Sequence, residues 1–347
     1  MEILKDVYQV YLAPSGERAL KFLETKRPDL ILLDVEMPKM RGYDVIREIK
    51  NIPSLCDIPV IFLTGLEGRD NEQIAFELGA VDYILKPISF GIVRARTKLH
   101  VELGAYRKRL EELVDIRTEQ LSRTQNCILD LLANVTSYRD QETGGHIKRT
   151  TLYIETIVAL LLENQFEGYE LGAQYAASII SSAKLHDIGK VAIPDSILLK
   201  PERLTESEFE IIKLHTTSGA QLLDNAMLEL KETSAFLTTA REIIIGHHER
   251  WDGTGYPNQV FGAALPLSAR IMAIVDVYDA LVSRRPYKDP LSHEESMKII
   301  FDGAGTHFDP GLIEICKSVF GKFSEIAAAH KDDAYSEILD LGQSFEL

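Results

Sequence analysis

Cysteine is scarce: Cys56, Cys127 and Cys316 are the three in 347 residues, far apart and without a CxxC spacing. That excludes a disulfide framework and a thiolate zinc site, and it fits a reducing compartment. Positive charge is also short, with 38 Lys and Arg against 53 Asp and Glu, a formal net charge of −15. The deficit is uneven. Residues 1–100 carry 14 basic and 15 acidic groups, whereas the remainder carries 24 and 38. A surface for DNA or RNA needs the opposite sign, so nucleic acid is excluded as a partner, and a phosphate ligand of the second half needs metals or a few placed cations. No apolar run approaches the ~18–20 residues of a membrane span. The N-terminus lacks a basic stretch followed by an apolar one, so no secretory signal is expected. These absences describe a cytoplasmic protein that neither enters a membrane nor binds nucleic acid.

What remains is 45% hydrophobic and 26% charged, the composition of a globular chain. At roughly 150 residues per domain, two domains are expected. In residues 1–90, short apolar runs at Tyr8–Leu12, Leu30–Leu33, Val60–Leu63 and Tyr83–Leu85 alternate with helical patterns at Gly16–Thr25, Gly42–Lys50 and Asn71–Leu78. Such alternation predicts an α/β domain with a parallel sheet. Residues 91–125 read as a long linker helix. Leu103, Tyr106, Leu110 and Leu113 follow a 3-4 spacing, then Val114, Leu121, Ile128 and Val135 recur every seven residues. The seam slips by four near Leu110–Val114, as a stutter would cause. A parallel dimer coil and a single helix packed on its own domain both fit. From 126 to 325 the pattern is helical throughout, predicting an all-α domain with helices at Leu152–Leu162, Gln174–His186, Glu206–Leu223, Phe236–His247, Ser268–Val282 and His293–Phe301. The segment 326–347 reads as an acidic tail.

Five of the nine histidines fall between 146 and 248, each with a telling neighbour. ETGGH sets Glu142 and His146 four apart, on one helical face. HDIGK joins His186, Asp187 and Lys190. His215 follows on the next helix, and His247 and His248 form a doublet. Asp276 interrupts the apolar run ARIMAIVDVYDAL, where an unpaired carboxylate would be costly. Singly, each has an ordinary structural explanation. Together, five imidazoles and three carboxylates without a thiolate suit iron, manganese, zinc or nickel. Eight donors exceed the needs of one ion, so two or three bridged metals are expected, an arrangement that generates hydroxide and clamps a phosphate ester.

HDIGK, followed by HHERWDGTGYP, resembles the HD-GYP phosphodiesterases, the bacterial branch of the HD superfamily that cleaves cyclic di-GMP. The likeness extends from RDQETGGH through DVYDAL and SRRPYK to THFDP, over about 126–325. It implies that Glu142, His146, His186, Asp187, His215, His247, His248 and Asp276 are metal ligands, with Asp187 as the bridge and Glu142 at a third ion. The metals implied are divalent, iron or manganese first. His186, Asp187 and Lys190 would stand at the reaction. Lys190, Arg285 and Lys288 would contact phosphates, with Gly255, Tyr256 and Pro257 at the ligand. The activity implied is hydrolysis of cyclic di-GMP to linear pGpG, with pGpG and GMP both open as the end product. The alternatives are a cyclic-dinucleotide sensor or scaffold without turnover, and an HD phosphohydrolase with another nucleotide substrate.

LILLDVEMPKMRGYDV, FLTG and YILKPI resemble the receiver domain of two-component response regulators, a flavodoxin-like fold. The resemblance makes Asp34 the phosphoacceptor, with Thr64 and Lys86 beside it and a sensor histidine kinase as partner. One departure is plain. A receiver starts with a strand that ends in an acidic pair, which binds magnesium, whereas MEILKDVYQV corresponds to the end of the following helix and the second strand. In the flavodoxin-like order 2-1-3-4-5 the missing strand is central. The receiver is therefore read as incomplete, from a displaced start or a truncated copy, and the magnesium site lacks its acidic pair. With the linker helix as coil, the expected assembly is a homodimer.

Overall fold

The run VIFLT is apolar without alternation, which suits a strand covered on both faces. In the computed structural model, which describes residues 2–65, 69–140, 144–231, 234–284 and 289–330, it is the middle strand of a parallel sheet. That sheet has the order β1 (Ile31–Asp34), β2 (Val60–Thr64), β3 (Asp82–Leu85), with Ile31 opposite Val60 and Thr64 opposite Leu85. It lies in the first of two units, Met1–Leu121 and Ser122–Leu347. The helices of this unit are α1 (Glu2–Lys5), α2 (Gly16–Leu23), α3 (Gly42–Asn51), α4 (Arg69–Glu77) and the first part of α5 (Phe90–Arg139). Leu33, Val45, Ile46, Ile49, Val60 and Phe62 form the core.

One expected strand does not form. Residues 8–12 pair with no strand among the described residues, and Tyr11 and Leu12 remain exposed. An apolar run becomes a strand only where a neighbour takes up its backbone N–H and C=O groups. Among the described residues, β1 is an edge of the sheet. The linker helix also differs from expectation: α5 continues past residue 125 without a break to Arg139. Asp82 is held by Arg96 and, at 3.2 Å, by His100 of this helix, and Arg107 reaches Asp57 at 3.3 Å.

The second unit contains the end of α5 followed by α6 (Gly144–Asn164), α7 (Ala173–Ser182), α8 (Asp195–Leu198), α9 (Glu206–Leu230), α10 (Ala235–Gly246), α11 (Leu267–Val282), α12 (His293–Asp302), α13 (Pro310–Cys316) and α14 (Phe320–Ala329). A helix forms at every expected place in this half, although that expected over Gln174–His186 ends at Ser182, and α8, α13 and α14 were not anticipated. No strand occurs here among the described residues. α11 has no exposed residue and is therefore central. It is flanked by α6, α10 and α12, and Tyr153 of α6 stacks on Phe323 at 4.5 Å and meets Tyr278 edge-on at 5.3 Å. Short 3-10 turns at Ala183–Leu185 and Ile188–Ala192 carry the HDIGK segment across α9. Gly189 makes that crossing possible: a Cβ there would lie 1.8 Å from the carbonyl oxygen of His215. Among the described residues, no helix is long and apolar enough to cross a membrane.

Candidate functional site

Five histidines and two aspartates from α6, the HDIGK turns, α9, α10 and α11 converge. His146, His186 and Asp276 form one group, and His215, His247 and His248 another; within each, one donor atom per residue lies within 4.8 Å of the others. Asp187 stands between the two. Its Oδ2 is 3.2 Å from His186 Nε2, and its Oδ1 is 3.4 Å from His215 Nε2 and 3.9 Å from His247 Nε2.

The imidazoles are aimed from behind. Nδ1 of His186 lies 2.9 Å from the Ala183 carbonyl, that of His215 2.8 Å from the Ile212 carbonyl, and that of His247 3.0 Å from the Ile243 carbonyl. Nδ1 of His146 lies 2.8 Å from Asp279 Oδ2. A carbonyl or carboxylate accepts only, so each Nδ1 carries the proton and each Nε2 presents its lone pair to the centre. Nε2 of His146 then faces Nε2 of His186 at 3.3 Å, and Nε2 of His215 faces Nε2 of His247 at 3.4 Å. Opposed lone pairs at such distances repel unless a cation lies among them. Asp187 Oδ1 is likewise buried without a hydrogen-bond donor. The donor set is therefore chemically suited to divalent cations.

Electrostatics agree at three of the imidazoles, whereas at His186 burial is outweighed by Asp187 and Asp276, which raise it above the ordinary histidine value. Burial pushes His247 well below the ordinary histidine value, helped by its imidazole neighbours, and lowers His215 and, to about 4, His248. Burial works against the charge of Asp187, yet Lys190, His186 and His215 hold it well below the usual carboxylate range. Lys190 donates to Asp187 at 2.8 Å and to Asp140, so it bridges two carboxylates beside the centre. Tyr256 folds back over the doublet, its ring 4.9 Å from that of His248 and its N–H donating to the His248 carbonyl. Gly255 allows this turn, since a Cβ there would lie 2.4 Å from the Arg250 nitrogen. Pro257 follows, half-buried. Glu142, Arg285 and Lys288 lie outside the described residues.

Several supporting residues were not singled out from sequence. Asp279, fully buried on α11, receives His146 and two guanidinium contacts from Arg149 at 2.7 and 2.9 Å. The second aspartate of DVYDAL was its only signal. Arg139, the last residue of α5, donates to the carbonyls of Val191 and Ile193 and to Asp195, pinning the turn that carries Lys190. Glu249 Oε1 accepts from the Asn258 amide at 2.6 Å and so braces the loop that carries Tyr256.

In the first unit, Asp34 closes β1 and Thr64 closes β2, both at the C-terminal edge of the parallel sheet. Lys86 donates to Asp34 Oδ2 at 2.6 Å, and the Glu36 amide donates to Asp34 Oδ1 at 3.1 Å. Asp34 is 35% exposed and open to an incoming group, whereas Thr64 is buried.

Residues 2–98 match the family described as the response regulator receiver domain, and residues 131–312 match the HD domain. A protein described as a probable cyclic di-GMP phosphodiesterase of Vibrio cholerae serotype O1 is 41% identical over 348 residues, which is 98% of this chain and 79% of its own. The cyclic di-GMP phosphodiesterase response regulator RpfG of Xanthomonas campestris pv. campestris is 34% identical, covering 89% of this chain and 82% of its own. A 3'3'-cGAMP-specific phosphodiesterase 2 of Vibrio cholerae is 37% identical over 66% of this chain and 40% of its own.

Proposed function

The chain belongs to the HD-domain cyclic di-GMP phosphodiesterases that carry a response regulator receiver, and from that premise we propose that it hydrolyses cyclic di-GMP to linear pGpG, and on to GMP, under two-component control. His146, His186 and Asp276 would hold one divalent metal and His215, His247 and His248 a second, with Asp187 shared. Glu142 would serve a third. A donor set of imidazole and carboxylate without thiolate favours iron or manganese. Such ions, when bound, lower the pKa of a water and neutralise charge on a phosphoryl group. The chain's own contributions are distinct. Lys190, held between Asp187 and Asp140, keeps a cation at the centre's edge. Arg285 and Lys288 would meet the ligand phosphates, and Tyr256, over His248, would line the ligand. The observation that supports this reading most is Asp187, whose two oxygens turn to two separate imidazole groups, one oxygen buried without a donor.

The test is metal stoichiometry and cyclic di-GMP turnover measured on one preparation made without chelator. Two or three transition metals per chain and turnover are expected, with both lost in Asp187→Ala. Near wild-type cleavage by Asp187→Ala would overturn the assignment. A second reading, hydrolysis of a mixed guanine–adenine cyclic dinucleotide, is raised by the relative of that specificity. Comparative turnover separates the two.

The receiver would couple the enzyme to a sensor histidine kinase through Asp34. Leu103, Tyr106, Leu110, Leu113, Leu121, Ile128 and Val135 all stand exposed along α5, and burying such a seam against a second copy would give a parallel homodimer. A cytoplasmic location fits three free cysteines, two of them exposed.

A further inference from the structure

The metal centre accounts for the histidines of α9 and α10 but not for the side chains next to Tyr256. Phe209 and Lys213 are one turn apart on α9, so they share a face. The Phe209 ring meets the Tyr256 ring at 6.3 Å and 81°, and the Tyr256 ring in turn lies against His248 at 4.9 Å and 33°. Lys213 Nζ sits 5.1 Å from the centre of the Phe209 ring and 5.5 Å from that of Tyr256. Three rings thus run outward from a candidate metal ligand, with one ammonium over the outer two.

Two features leave this face available to a ligand. Phe209 is 45% exposed, a large aromatic left in water beside a mostly buried site. Lys213 pairs with Glu210, which is itself 68% exposed, and an ion pair in water is weak and readily exchanged. A flat, uncharged ring is the natural occupant. It would stack on an aromatic face, as nucleobases do. The ammonium selects further, because it has three donors and no acceptor. Guanine turns two acceptors, O6 and N7, to such a group; adenine turns N7 beside an amino donor.

We propose that Phe209 and Lys213 form a guanine-recognising subsite, in which Phe209 takes the face of a base and Lys213 donates to its O6 and N7. The proposal rests on the cyclic-dinucleotide reading above. It adds which base is preferred and why. A nucleotide whose phosphate sits at the histidine cluster carries its base one sugar away, and the Phe209 face lies two ring contacts from His248, through Tyr256 at 4.9 Å and then 6.3 Å.

The experiment uses the full chain with its metals and compares affinity for cyclic di-GMP and cyclic di-AMP in wild type, Lys213→Met, Lys213→Arg and Phe209→Ala. Lys213→Met should weaken cyclic di-GMP by about ten- to a hundredfold and cyclic di-AMP by no more than about twofold, so the preference narrows. Lys213→Arg should restore it, and Phe209→Ala should weaken both ligands. Metal content, measured on every variant, should match wild type. Equal weakening of both dinucleotides by Lys213→Met, no change in either, or loss of metal would overturn the subsite. If the wild-type chain neither binds nor cleaves either dinucleotide, the phosphodiesterase reading falls first and takes the subsite with it.

Discussion

Each unit carries an aspartate paired with a lysine, and the two pairs differ mainly in their access to water. Asp34 meets Lys86 at 2.6 Å with 35% and 36% of the side chains exposed, while Asp187 meets Lys190 at 2.8 Å with 14% of each exposed. In the first pair, solvent screens the attraction, so it adds little stability and leaves the carboxylate available to an incoming group. In the second, each charge depends on the other, because a buried charge left alone is costly. The lesson is that one chemical pairing is weak and open where it is wet and interdependent where it is dry. The largest test of that contrast is Asp187→Asn. Metal content should fall and cyclic di-GMP turnover should drop by more than about a hundredfold, beyond the range seen for residues that only support a ligand. A comparable loss in Asp34→Asn, assayed without a phosphodonor, would break the comparison.

The next effect concerns the lysines. Lys190→Met strands Asp187 and Asp140 and should cost the second unit about 3–5 kcal/mol, whereas Lys86→Met should cost the first no more than about 1 kcal/mol. Thermal unfolding of each variant against wild type measures both, and equal shifts would contradict the contrast. Asp279→Asn comes third. It keeps the shape but removes the charge shared by His146 and Arg149, and should lower metal affinity about ten- to a hundredfold, read by competition with a chelator.

A further effect is a pH dependence at a residue that is not itself a candidate ligand. His307 is stacked on Phe308 at 4.3 Å, and burial, with Arg250 adding to it, lowers it from 6.5 to about 4. Between those values the unfolded chain binds a proton that the folded chain refuses, so stability rises with pH in that window. The unfolding midpoint should therefore fall as pH drops from 6.5 toward about 4, and His307→Asn should flatten that slope. An unchanged slope would show that His307 is wetter than its stacking implies.

The α/β and all-α halves and the histidine positions were legible in the sequence because local patterns carry them: apolar runs, helical spacing and HDIGK. Residues 8–12 misled because an apolar run does not disclose whether a neighbour exists to pair with it. Asp276 was singled out as a polar interruption of α11, yet Asp279 interrupts it equally. What separates them is a contact with Arg149, 130 residues away, which no local pattern records. The helical spacing read through Ile128 and Val135 is matched by α5, which continues to Arg139. Arg139 acts on backbone carbonyls, which every sequence has, so nothing in the sequence distinguishes its targets.

The way the imidazoles are aimed bears on how such a site ages under mutation. His186, His215 and His247 lean on main-chain carbonyls, which no codon change can delete. His146 alone leans on a side chain, that of Asp279. Drift therefore meets three orientations that are genetically silent and one that a single base substitution can remove. Of the contacts that aim these four imidazoles, this pair is therefore the one open to loss by drift, and comparison of lineages at positions 146 and 279 would trace it.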